Sequence, residues 1–114
     1  MTFEEIQETI VKLKKSYNCG WTDGIVQSLD TIITFFENDR KGYPKDVLAG
    51  VDRNLEVFRE LRDNALMCGL DIDRVAEWKR FSEAADDLAY NVLTPWLNAT
   101  NVDAPFTWVQ GGDA

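Results

Sequence analysis

Histidine is absent from this chain, and cysteine occurs only at Cys19 and Cys68. Without imidazoles or further thiolates, neither a Cys-His nucleophile nor a structural zinc site can be built. Each cysteine stands one residue before a glycine at an expected helix end, where it reads as a small buried apolar side chain. Common catalytic patterns are missing too: there is no phosphate-cradling P-loop, no G-x-S-x-G elbow and no Ser-x-x-Lys pair. Apolar runs fall short of the ~18 residues that a membrane span requires. The opening stretch, MTFEEIQET, has neither the basic nor the apolar part of a secretory leader. The expectation is therefore a soluble, cytoplasmic protein that works without catalysis, metal or cofactor.

Positive charge is scarce, and it stops early. Twenty acids stand against twelve bases in 114 residues, a net charge of −8, and no Lys or Arg follows Arg80. Such a field repels phosphates and anionic membranes, so direct binding of nucleic acid or lipid is not expected and a basic protein surface is the favoured partner. The same charge also serves simply to keep a small protein soluble.

What the chain does have is apolar residues at helical spacing. Phe3, Ile6, Ile10, Leu13 and Tyr17 make a narrow seam, opened by Thr2 and Glu5 at capping-box spacing and stopped at Asn18 and Gly20. Ile25, Leu29, Ile32, Ile33 and Phe36 give a second helix a wide face, while Gly20, Gly24 and Ser28 form a strip of small residues suited to a close crossing. Pro44 precedes a third arc running from Val47 to Ala65. Arg62 intrudes on that arc, either to carry its head to water or to pair with an acid of the fourth helix. The longest helical signal spans 71–97, with Asp71 as its N-cap, Leu70 and Val75 as a hydrophobic staple, and Val75, Trp78, Phe81, Ala85, Leu88 and Val92 on one arc. Thr94-Pro95 ends or restarts it. Beyond Asn98 the helical period is lost, and Phe106, Trp108 and Val109 alternate with polar residues. The expected fold is all-α: one antiparallel four-helix bundle-like domain over 1–98, with an irregular C-terminal tail over 99–114 that packs on the bundle or extends from it.

One pair of motifs suggests an enzyme. Glu4-Glu5-x-x-Glu8 and Glu83-x-x-Asp86 resemble the EExxE and ExxD halves of the all-α nucleoside triphosphate pyrophosphohydrolases of the MazG and dimeric dUTPase type. That resemblance implies a magnesium site held jointly by these acids. It covers nine residues, and the two halves lie more than seventy residues apart here instead of one helical connection apart. Acids in a first helical turn are also expected from capping and the helix dipole alone.

The stronger expectation is a binding surface. Glu83, Asp87 and Tyr90 share one exposed stripe of the fourth helix, Asp86 lies at its edge, and Asp103 follows in the tail. Acids one turn apart sit roughly 5–6 Å from each other, a spacing comparable with that of phosphates along a nucleic acid. The sequence thus points to a non-catalytic acidic module that binds a basic protein. Its most concrete form is a nucleic-acid mimic, of the kind small phage-encoded inhibitors use to occupy the nucleic-acid-binding surface of a host defence enzyme. Glu83, Asp86, Asp87, Tyr90, Asp103 and Trp108 are the expected contact residues. The alternative is a self-associating structural or adaptor bundle, a homo-oligomer joined through Trp96, Phe106, Trp108 and the seam of the first helix.

Overall fold

In a computed structural model that describes residues 3–38, 40 and 42–99, every regular element is helical. α1 (Phe3–Cys19), α2 (Thr22–Asn38) and α3 (Lys45–Cys68) are followed by a 3₁₀ turn (Gly69–Asp71) and by α4 (Arg74–Asp86). α4 runs without a break through a π-helical segment (Asp87–Leu93) into α5 (Thr94–Ala99), and together these form the fourth rod. Short connections make neighbouring rods antiparallel, and α4 returns to pack on both α3 and α1. The all-α, four-helix bundle-like fold expected from the apolar periodicity is the fold observed. None of the described helices is long and apolar enough to cross a membrane.

From Ile6 onward the seam of α1 is used inside the bundle. Ile6, Ile10, Leu13 and Tyr17 are buried with the apolar faces of α2 and α3, so the seam is not available as the oligomer contact that the sequence suggested. Trp96, assigned to the same contact, is half-buried and packs its ring edge-on against Tyr43. α1 stops as its sequence requires. Gly20 takes φ +72°, and the Trp21 N–H reaches back to the Ser16 carbonyl at 3.0 Å, which is the six-to-one bond of a Schellman cap. Arg74 of α4 satisfies two of the remaining carbonyls, donating to Tyr17 at 3.3 Å and Asn18 at 3.4 Å. The small-residue strip also works as read. A Cβ on Gly24 would fall 2.5 Å from Ser16 Oγ, so α1 and α2 meet more closely there than any larger residue allows.

Three local expectations are corrected. The fourth helix begins at Arg74, and its cap is Asp73, whose Oδ1 accepts from the Ala76 N–H at 3.2 Å; Asp71 belongs to the 3₁₀ turn. Because that turn rotates the chain before α4 starts, Leu70 and Val75 are both exposed and make no staple. Cys19 and Cys68 are exposed thiols, since each falls at a helix end past the last buried turn. The Thr2 cap and the aromatic tail lie outside the described residues.

The π-helical segment has a covalent cause. Pro95 has no N–H, and its ring crowds the carbonyl four residues before it, so the preceding turn widens. Thr94 holds the widened turn by two bonds to the Ala89 carbonyl, one from its backbone N–H and one from its hydroxyl at 2.6 Å. Widening the turn brings Val92 against Gly50, where a Cβ would sit 2.6 Å from Val92 Cγ2.

Candidate functional site

All six arginines of the chain make contacts that tie parts of the bundle together. α3 is their hub. Arg59 and Arg62 reach Glu37 and Asp30 of α2 at 3.3 and 2.9 Å, and Glu60 receives Arg80 of α4 at 2.6 Å. Arg62 thus forms an ion pair with an acid of the second helix, so neither reading offered by the sequence, a head carried to water or a pair with the fourth helix, is met as stated. Arg40 holds Asp52 by two parallel bonds of 2.8 and 2.9 Å. With the arginines turned to internal acids, the excess negative charge falls to carboxylates on the outside.

The expected contact residues divide on inspection. Asp87 is already occupied: Arg53 donates to it at 2.6 Å, the buried Asn54 at 2.8 Å and Asn91 at 3.1 Å. These donors, Arg53 foremost, hold its carboxyl at about 2, below the usual carboxylate range. Its charge fixes α3 to the fourth rod, so it is not among the unneutralised acids. Tyr90 is half-buried against the core and does not stand on an exposed stripe. Glu83 and Asp86 are exposed on the outer surface of α4. Asp103 and Trp108 lie outside the described residues.

The antiparallel packing adds what the sequence order concealed. Tyr17, near the end of α1, stacks beside Trp78 near the start of α4, with ring centroids 5.9 Å apart. Hence the first half of α1, with exposed Glu4, Glu5 and Glu8, shares an end of the molecule with Glu83, Asp86 and the C-terminal half of the fourth rod. The chain's charge separates along the bundle as a result. Residues 11–36 and 57–82, towards the end where α1 and α3 finish, carry eight bases and seven acids. The other described residues carry three bases and ten acids, and two of those bases, Arg40 and Arg53, are tied to Asp52 and Asp87. Periodicity within one helix could not show this, because it depends on how two helices about sixty residues apart are paired.

The acid end is not arranged as a metal centre. Among the described residues no three acidic side chains gather where one cation could take them all. The five acids of the pyrophosphohydrolase resemblance are all described, so that geometry is not met. Elsewhere, the Tyr17 hydroxyl and Glu77 Oε2 are buried without a hydrogen-bond partner under α4. Burial, reinforced by the Glu77 charge, pushes that hydroxyl far above its usual range, so it stays protonated.

No protein-family profile, curated protein or solved structure matches this chain.

Proposed function

We propose that the protein is a non-catalytic binding module whose acid end engages a basic surface of another protein, in the place that nucleic-acid phosphates take. The observation that carries this reading is the segregation of charge: ten acids against three bases at one end of the bundle, and near balance at the other. A fixed array of carboxylates attracts a basic groove over several ångströms and has little flexibility to lose on docking. Glu83 and Asp86 on α4 and Glu8 on α1 are the exposed acids assigned to the contact. Asp87 supports it from beneath by anchoring the rod.

The test is capture of partners on the immobilised chain, followed by competition with a short DNA or RNA duplex and by rising salt. A nucleic-acid-binding protein should be retained, displaced by the duplex and released at moderate salt. The triple variant Glu8→Lys, Glu83→Lys and Asp86→Lys should weaken retention on the order of tenfold or more. Retention that survives both the duplex and the triple variant would sink the reading.

A further inference from the structure

At the charge-balanced end, four large apolar side chains remain in solvent: Leu66 is 63% exposed, Met67 86%, Leu70 79% and Val75 81%. They lie at one end of the bundle, where α3 stops and α4 begins. Leu66 and Met67 lie a single turn before Leu70. Leu70 and Ile72 line a depression of about 220 Å³ together with Cys19 and Ile25. Ile72 and Val75 line a neighbouring depression of about 500 Å³ with Tyr17 and Trp78. An apolar cap, with Arg74 lining both depressions within it, therefore lies at the end of the bundle where α1 and α3 stop and α4 begins. Nothing in the local backbone requires it, since polar residues fit these exposed positions equally well, and exposed apolar side chains that cluster mark interaction surfaces.

We infer that this cap is the contact between two copies of the chain, packed end to end about a two-fold axis. Charge selects the occupant. Two copies of a protein with net charge −8 repel each other everywhere except where local charge is balanced, and the apolar cap is at that end. Meeting there places the two acid ends at opposite extremities of a dimer of molecules 43 Å long, far beyond the reach of screened repulsion. A strongly charged partner of either sign gains nothing from a balanced surface. Area sets the strength. The end of a bundle 27 by 22 Å across offers roughly 500 Å² per copy and about 1,000 Å² in all, the lower bound for a specific interface. A two-fold contact uses the same patch on both copies, so assembly closes at two.

The inference stands apart from the partner reading, because it is measured on the pure protein. Sedimentation equilibrium of the full chain over a concentration series should show the mass rising towards twice that of the monomer, with a Kd in the micromolar range, about 10–100 µM. Raising the salt should leave the dimer unchanged or tighten it, because screening removes repulsion between acid ends. The double variant Met67→Lys and Leu70→Lys changes only exposed positions, so it should keep the wild-type helical signal and melting curve while associating at least tenfold more weakly. Glu83→Lys with Asp86→Lys, at the far end, should dimerise as the wild type does. A wild-type chain that stays monomeric at the highest concentration, a dimer indifferent to Met67→Lys and Leu70→Lys, or one dissolved by salt would each overturn the assignment.

Discussion

Asp87 shows how one carboxylate changes role when the chain folds. On the helix alone it is one of several acids with no base nearby in sequence; in the bundle Arg53, Asn54 and Asn91 converge on it. Its carboxyl is held at about 2 in the folded protein, against about 3.9 in an unfolded chain. A depressed pKa stabilises the folded state above the unfolded value, and that stability is lost as pH falls through the folded one. Asp87→Asn should therefore lower the urea midpoint at neutral pH, and the gap between variant and wild type should close between about pH 4 and pH 2. Arg53 is 62% exposed, so solvent screens the pair and the cost should be about 1 kcal/mol, below what the shift alone implies. A gap that persists unchanged at the acid limit would assign the effect to packing instead.

At the scale of the element, the fourth rod is the part that departs most from a regular helix. Its π-helical turn follows from Thr94-Pro95, and the Thr94 hydroxyl gives the Ala89 carbonyl a second bond beside the one from Thr94's own N–H. Thr94→Val keeps the shape and removes that donor. It should cost about 1 kcal/mol, read as a melting temperature lower by roughly 4 °C for a domain of this size. An unchanged melting temperature would mean that the backbone N–H of residue 94 satisfies that carbonyl by itself. α1 and α4 teach a further lesson. Each has acids in one half and bases in the other, in opposite order along the chain, so antiparallel packing brings like halves together.

Across the whole molecule, burial is uneven. α2 and α3 supply half of the buried apolar core, whereas the first two turns of α4, residues 74–80, contain no buried residue. Local opening follows the apolar contacts that must be broken. In hydrogen exchange, amides of residues 25–36 and 51–65 should be the slowest and should exchange near the global unfolding limit. Those of residues 74–80 should exchange at least tenfold faster at low protein concentration. Uniform protection of all four rods would show a bundle that opens only as a unit. If the end-to-end dimer forms, the same 74–80 amides should slow as the protein is concentrated, while those of α2 stay unchanged.

Helical periodicity, glycine stops and Pro44 are local signals, so the sequence by itself determined the four-rod fold, the ends of α1 and α3 and nearly all of the core. It also determined the total charge, which is a sum and needs no geometry. The tertiary structure alone decided where that charge lies. Arg53 and Asp87 are 34 residues apart, and no spacing rule links them; only the approach of α3 to the fourth rod removes Asp87 from the acidic surface. The same packing gathered Glu8, Glu83 and Asp86 at one end. The 3₁₀ turn before α4 was hidden for a related reason: whether Leu70 and Val75 meet each other or face water depends on the angle at which α4 leaves α3. Apolar spacing carries no information on that angle.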